Sequence, residues 1–309
     1  MPYLLRPALL TDAPAVTELL NTVDEIEIGR RETDLHTVEA DLKRPDIDLA
    51  RDSWLVFDGD LLVAYGLLWD DSGDERIDVD HYVLPEHQAG GELILETMRV
   101  RALEQARANG AGRAVVHLHL NAEPTLDTSL IERRGWSVVR RYHVLERALD
   151  PATDLAPGLP DGVRIRPCAT DADRECVYRL YQASFAEHFD FQPRSYEQWL
   201  NDVYAAGALD WSLVWIVGTE ELGDVGFLIS RDDREAMGWI RSIGVLREGR
   251  GRGLGGLLLR HAFAVFAGRG RETVGLGVDT ANATGAPQLY RRNGMTLHYA
   301  VDTWEVTHN

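Results

Sequence analysis

The order of hydrophobic and polar positions along the chain predicts strands alternating with helices. Short apolar runs between turn residues indicate strands, and apolar residues three or four positions apart indicate helices. Leu95, Met98, Ala102 and Ala106, for example, form one helical stripe that Gly110 ends. In the first half, the predicted strands are Tyr3–Arg6, Ser53–Phe57, Leu61–Leu68, Ile77–Leu84, Ala114–Leu120 and Ser137–Leu149. The predicted helices run from Thr11–Asp12 through Leu20 and over Asp34–Lys43, Glu92–Asn109 and Leu126–Arg134.

The same pattern occurs a second time about 160 residues later, and a repeat of this length indicates a duplicated domain. Arg6-Pro7 matches Arg166-Pro167, and Leu130–Trp136 matches Leu289–Met295. Each copy has the order β-α-α-β-β-β-α-β-α-β. The sequence therefore predicts an α/β protein of the α+β type. Each copy would form a twisted mixed, mostly antiparallel sheet flanked by helices.

A proline- and glycine-rich segment separates the two copies. Residues 150–162 read D-P-A-T-D-L-A-P-G-L-P-D-G, a composition typical of a linker. We therefore predict a first domain over residues 1–150, a linker over 151–161 and a second domain over 162–309.

Composition narrows the function classes. A net charge of −18 leaves no basic face to follow phosphates, so nucleic acid is not an expected partner. It suits a cationic small substrate such as an amine, although many acidic proteins are simply soluble. Two cysteines, Cys168 and Cys176, indicate a reducing, cytoplasmic location. The longest apolar run, Leu61–Trp69, is too short to span a membrane, and the N-terminus lacks a signal-peptide core.

A glycine-rich turn joins a predicted strand, Trp239–Val245, to a predicted helix, Leu254–Ala267. The turn reads R-x-x-G-x-G over residues 250–255. Glycines let the backbone approach a ligand, and the free N–H groups and dipole at a helix start favour an anion. The pattern is neither the dinucleotide nor the nucleoside-triphosphate motif. It predicts a pyrophosphate site, with a tight strand–helix joint as the alternative.

This turn, with Asn282 and the sequence Tyr290-x-x-x-Gly294-Met295, resembles the GNAT superfamily of acyltransferases. With both copies counted, the chain is similar to the tandem-GNAT group that includes mycothiol synthase. The motifs support the resemblance in the second copy, and only the layout supports it in the first. It implies that two central strands splay and hold the pantetheine arm of acetyl-CoA. The implied acetyl-CoA-binding residues are Ile243, Gly244, Val245, Arg250, Gly251, Arg252, Gly253, Leu254, Gly255, Gly256, Asn282 and Ala286.

The resemblance also implies direct acetyl transfer to a primary amine, without a metal. In the family, a tyrosine in the helix after the fifth strand protonates the leaving thiolate, and Tyr290 stands there; a core tyrosine is the alternative. The backbone N–H of Val245 would stabilise the oxyanion. The fourth strand has Trp239 where mycothiol synthase has a glutamate. The candidate groups on the acceptor side are Glu187, His188 and Asp190, with a water chain as the alternative base.

The first copy lacks several of these features. Gln88 and Gly91 keep part of the turn motif, but Leu93 replaces its last glycine and Glu92 adds negative charge. Ile131 occupies the position of Tyr290. We therefore predict that the first domain is structural and binds acyl-CoA weakly or not at all.

Together these features predict a cytoplasmic N-acetyltransferase, either a monomer or a homodimer. Its acceptor would be a secondary-metabolite or aminoglycoside-like amine, or a mycothiol precursor. The missing glutamate ranks the mycothiol precursor slightly lower. The alternative is a non-catalytic acyl-CoA-binding sensor or accessory protein.

Overall fold

A computed structural model describes the chain except for residues 1–2, 45, 187, 190, 206–208, 233–235 and 283–284. The chain forms two compact units. Unit 1 comprises Met1–Tyr142 and Tyr299–Asn309, and unit 2 comprises His143–His298.

Unit 1 is a mixed sheet covered by helices on both faces. Its strands lie in the order β1 (Leu4–Arg6), β2 (Ser53–Asp58), β3 (Leu61–Trp69), β4 (Arg76–Val83), β5 (Ala114–Asn121) and β12 (Thr296–His308). Its helices are α1 (Ala13–Ile28), α2 (Leu35–Leu42), α3 (Leu49–Asp52), α4 (Gln88–Ala108) and α5 (Thr128–Glu132). Only β4 and β5 run parallel, and the other neighbours in this unit run antiparallel.

A buried ion pair fastens α4 to the segment before β2 in unit 1. Arg101 Nε donates to Asp52 Oδ1 at 2.7 Å, and both side chains are almost fully buried. Asp52 also accepts from the backbone N–H of Asp48 at 2.9 Å.

We expect Asp52→Ala to lower the free energy of unfolding by about 3–5 kcal/mol, because it leaves the buried Arg101 charge without its partner. Denaturant unfolding of both proteins measures this difference. The exposed pair Arg99–Glu96 is the matched control, and Glu96→Ala should cost less than about 1 kcal/mol. Equal losses for the two variants would show that burial of the pair does not matter.

Unit 2 repeats the plan. Its strands lie in the order β7 (Val163–Pro167), β8 (Val214–Thr219), β9 (Gly223–Arg231), β10 (Met237–Val245), β11 (Thr273–Asp279) and β6 (Ser137–Ala148). Its helices are α6 (Asp171–Phe185), α7 (Tyr196–Ala205), α8 (Leu254–Gly268) and α9 (Ala286–Arg292). Apolar residues of α6 pack on one face of the sheet and those of α8 on the other. The predicted α/β class, with its mixed sheets and flanking helices, is confirmed.

The predicted linker does not mark the boundary between the two units, because the last strand of each copy extends into the other unit. Strand β12 comes from the second copy, yet its residues Val301–His308 pair antiparallel with Ala114–Asn121 in unit 1. The end of β6 comes from the first copy and lies beside β11 in unit 2. The alternation of apolar and polar residues predicts a strand but not the edge that it joins. The domain ranges 1–150 and 162–309 remain a prediction about the repeat.

Two predicted helix starts differ from the structure. Helix α4 begins at Gln88, four residues before the predicted start, because a 3-10 turn at Pro85–His87 leads straight into it. Thr11–Asp12 lie in a 3-10 turn, and the Asp12 carboxylate binds Arg6 and the Leu9 N–H instead of capping α1 through its own first turn.

Candidate active site

Strands β10 and β11 separate at the centre of unit 2. They pair in parallel from Met237–Thr273 to Ile240–Leu276. Beyond that pair, β10 continues to Val245 and β11 to Asp279. The splay that the resemblance implied is therefore present, and it opens a gap between the strand ends.

The register on the other side of β10 shows which backbone groups face this gap. The N–H of Leu246 donates to the carbonyl of Val225 at 2.8 Å, so Val245 and Gly226 form a non-hydrogen-bonded pair. The N–H and C=O of Val245 therefore turn away from β9, and alternation gives Ile243 the same orientation. Arg250 Nε donates to the Val245 carbonyl at 3.1 Å.

Gly244 differs from its two neighbours, because this register directs its N–H and C=O toward Phe227 of β9. Because glycine has no Cβ, this position leaves room for the side chains of Phe227 and Ser184. A Cβ at this position would lie 2.6 Å from Phe227 Cε1 and 2.7 Å from Ser184 Cβ. Ser184, on α6, is buried, and its hydroxyl has no hydrogen-bond partner among the described residues. Sequence reasoning did not single out Ser184, since a small residue on a buried helix face is ordinary.

The glycine turn leaves the start of α8 open. Gly251 and Gly253 have left-handed φ values of 77° and 76°, and a Cβ on either would meet nothing within 4 Å. Gly253 is the N-cap residue, and no side chain caps the helix. The first helical bond runs from Leu257 N to Gly253 O at 3.1 Å. The N–H groups of residues 254–256 are thus available to an anion.

The other predicted residues of the turn have structural contacts. Arg252 pairs on the surface with Glu221 at 2.6 Å, and the Leu254 side chain is buried in the core. A Cβ on Gly255 would lie 3.1 Å from Leu289 Cδ2, and one on Gly256 would lie 3.2 Å from Arg260 Nη1. The glycine at 255 therefore lets α9 pack closely against α8, which the motif alone did not reveal.

Helix α9 brings Tyr290 into the same apolar cluster as α8. Tyr290 is only 6% exposed, and the partly buried Ile243, Val245 and Ala286 pack against its cluster. Burial raises the pKa of the Tyr290 phenol, so the group stays protonated at neutral pH. A protonated phenol is the form that a proton donor requires. Asn282 lies in the turn after β11, where its N–H donates to the Asp279 carbonyl at 3.1 Å.

The acceptor side is described in part. Glu187 and Asp190 lie outside the described residues. His188 is half-buried, and its ring centroid lies 4.4 Å from that of Phe185. Burial lowers the pKa of His188, the Asp279 carboxylate opposes this shift, and Arg250 adds to it. Asp279 was not anticipated, although a carboxylate that ends a strand beside a predicted site is a signal that could have found it.

Strand β10 offers no carboxylate to the site. Trp239 lies in its paired part, and its ring carbons come within 2.8 Å of a Cβ built on Gly275. The surrounding aromatic residues of α6 and α7 largely contact one another, as expected of core residues. These contacts join Tyr178, Tyr181, Phe185, Tyr196, Trp199 and Phe227.

Unit 1 closes the corresponding place with its own side chains. Its helix begins at Gln88 without a glycine turn, and a Cβ on Gly91 would lie 3.0 Å from His81 Cε1. Gln88 Nε2 donates to the Thr125 carbonyl at 2.9 Å, and its Oε1 accepts from the Asp127 N–H at 2.8 Å. These bonds fasten the loop after β5 to the start of α4, where the second copy has its open turn.

We therefore expect one acetyl-CoA to bind per chain, because in the described part of unit 1 no glycine turn precedes α4 and the loop after β5 is bonded to its start. Isothermal titration with acetyl-CoA measures the stoichiometry. Ile131→Tyr, which restores the phenol position in unit 1, should leave that stoichiometry at about one, since it does not reopen the loop. Two tight sites in the unaltered protein would contradict this prediction.

The chain belongs to the acetyltransferase (GNAT) family, whose model matches residues 174–295. It is therefore an acyl-CoA-dependent N-acyltransferase. Its relatives include mycothiol acetyltransferases. It is 30% identical to that of Tsukamurella paurometabola over 235 residues, which covers 71% of this chain and 75% of the relative. It is 29% identical to that of Thermobispora bispora over 261 residues, covering 78% and 79%.

Solved structures agree with this assignment along the whole chain. A GCN5-related N-acetyltransferase from Sphaerobacter thermophilus is 26% identical, with a TM-score of 0.82 over 99% of this chain and 95% of that one. A tandem GNAT protein from the clavulanic acid biosynthesis pathway, 16% identical, shares the fold with a TM-score of 0.71, over 99% and 98% of the two chains. The predicted tandem-GNAT fold is confirmed. None of the helices in the described part of the chain is long and apolar enough to cross a membrane.

Proposed function

We propose that unit 2 transfers the acetyl group of acetyl-CoA to the primary amine of a small molecule. The observation that carries the proposal is the uncapped start of α8 behind two left-handed glycines, next to the gap between β10 and β11. The pyrophosphate would accept hydrogen bonds from the N–H groups of residues 254–256. The pantetheine arm would pair with the backbone N–H and C=O of Ile243, which point away from β9. The names of the relatives support acetyl as the acyl group.

The residues around the gap support direct transfer. The neutral amine attacks the thioester carbonyl carbon, and the N–H of Val245 stabilises the tetrahedral oxyanion that forms. When the C–S bond breaks, the thiolate takes the phenolic proton of Tyr290. The amine nitrogen gives up one proton to solvent as the amide forms, and solvent returns a proton to the Tyr290 phenolate, so the products are the amide and free CoA.

The proposed identity of the acceptor amine rests on the names of the relatives, on the residues of β10 and on the net charge. The relatives named mycothiol acetyltransferase keep a mycothiol precursor among the candidates. Trp239 stands where mycothiol synthase has a glutamate, and its strand carries no carboxylate. This difference favours another acceptor, such as an aminoglycoside-like or secondary-metabolite amine. The net charge of −18 suits a cationic acceptor of either kind.

Release of CoA from acetyl-CoA, measured against a panel of amines, tests the proposal. The panel comprises a cysteinyl pseudodisaccharide, an aminoglycoside and a simple alkyl amine, and mass spectrometry of the product shows whether the amine carries the acetyl group. We expect amine-dependent release with at least one class. Tight acetyl-CoA binding without release for every amine would favour the sensor.

A further inference from the structure

The segment after α6 places an imidazole beside the gap between β10 and β11. His188 is half-buried, and its backbone N–H donates to the Phe185 carbonyl at 2.8 Å. Its ring contacts the Phe185 ring, which lies 6.4 Å from the ring of Phe227. Phe227 in turn flanks Gly244. These contacts connect the imidazole to the part of β10 that no longer pairs with β11.

Two charged groups act on this imidazole from the elements around it. Asp279 lies at the end of β11, and Arg250 lies in the turn before α8. His188 thus interacts electrostatically with groups at both strand ends that border the gap. Burial and Arg250 lower its pKa, so the ring is neutral near pH 7, while Asp279 favours the protonated form. A neutral ring can accept a proton, and a nearby carboxylate stabilises the ring once it has done so.

We propose that His188 is the general base of the reaction and that Asp279 is a positioning residue that stabilises its imidazolium. This inference rests on the proposed acetyl transfer. As the amine nitrogen bonds to the carbonyl carbon, its proton passes to the imidazole. The C–S bond then breaks, and Tyr290 protonates the thiolate. Solvent carries the proton from His188 back to the Tyr290 phenolate, so the cycle closes without any other reactant.

The test compares His188→Gln with the unaltered protein on an amine that supports CoA release. We expect kcat at saturating amine to fall about 10²-fold, since a general base contributes at least that factor. The Kd of acetyl-CoA, measured by titration, should stay the same. Imidazole added to His188→Ala should restore part of the lost rate.

The pH profile separates a base from a structural residue. Neutral His188 is the active form, so kcat should fall as the pH drops through its lowered pKa, below the usual histidine value of about 6.5. In His188→Gln, kcat should no longer show this decrease at low pH. Asp279→Asn should move it to lower pH, because the group that favours the imidazolium is gone.

His261 provides the matched control. It is also a half-buried histidine of unit 2, its pKa is lowered by burial, and its ring packs on Trp215. His261→Gln should keep the kcat of the unaltered protein and its decrease at low pH. If His188→Gln also keeps both while the unaltered protein releases CoA, the base assignment is wrong and the proposed function stands. If no amine supports release in the unaltered protein, the proposed function itself fails.

Discussion

Tyr290→Phe is expected to lower kcat for CoA release by about 10²–10³-fold, because the leaving thiolate loses its proton donor. Phenylalanine fills the same buried volume within the cluster of α8 and α9. The Kd of acetyl-CoA and the midpoint of thermal unfolding should therefore stay close to those of the unaltered protein. Steady-state detection of the free thiol and isothermal titration measure the two quantities.

Tyr299→Phe serves as the control for loss of a phenol. Its hydroxyl lies 3.5 Å from a carboxylate oxygen of Glu32 in unit 1. Turnover should not change in this variant. An equal loss in both variants, or unchanged turnover in Tyr290→Phe, would remove Tyr290 from the mechanism.

Gly253→Asp is expected to weaken acetyl-CoA binding by about 10²-fold or more. Gly253 is the N-cap of α8, so an aspartate there accepts hydrogen bonds from the N–H groups that the pyrophosphate would use. Its charge also repels the pyrophosphate, at a cost of about 1–4 kcal/mol at short range. Aspartate tolerates a left-handed φ better than most residues, so the fold should persist. Titration with acetyl-CoA measures the effect.

Two variants separate charge and backbone strain in this test. Gly270, just beyond the other end of α8, has a φ of 77° and the same open surroundings, so Gly270→Asp carries the same backbone strain away from the turn. It should leave acetyl-CoA binding unchanged. Gly253→Asn occupies the same N–H groups without charge and should show a smaller loss than Gly253→Asp. If Gly253→Asp binds acetyl-CoA normally, the start of α8 is not the pyrophosphate site.

Local chemistry explains what could be predicted from the sequence. The open turn was predictable because Gly251 and Gly253 adopt backbone conformations that few other residues tolerate. Helix α8 was predictable within one residue because its apolar stripe is long and begins directly after the turn. The resemblance placed Tyr290 on the helix after the fifth strand of the second copy, where α9 lies, and its role as proton donor stays a prediction.

Features that depend on contacts distant in sequence could not be predicted. The role of Gly255 depends on Leu289, more than 30 residues away. The way unit 1 fills the corresponding place depends on hydrogen bonds between Gln88 and the loop after β5, which no local pattern shows. The general base could not be chosen from Glu187, His188 and Asp190, because polar residues on a connecting segment look alike in sequence.

The position of β12 has a consequence for the synthesis of this protein. Residues 301–308 pair with β5, whose last residue, Asn121, lies 180 positions before Val301. During translation, the sheet of unit 1 therefore keeps an unpaired edge at β5 until residues 301–308 have left the ribosome, and such edges invite aggregation. Cutting the gene at the linker would remove β12 from the first half and β6 from the second. The two halves of the gene are therefore not two independent folding units.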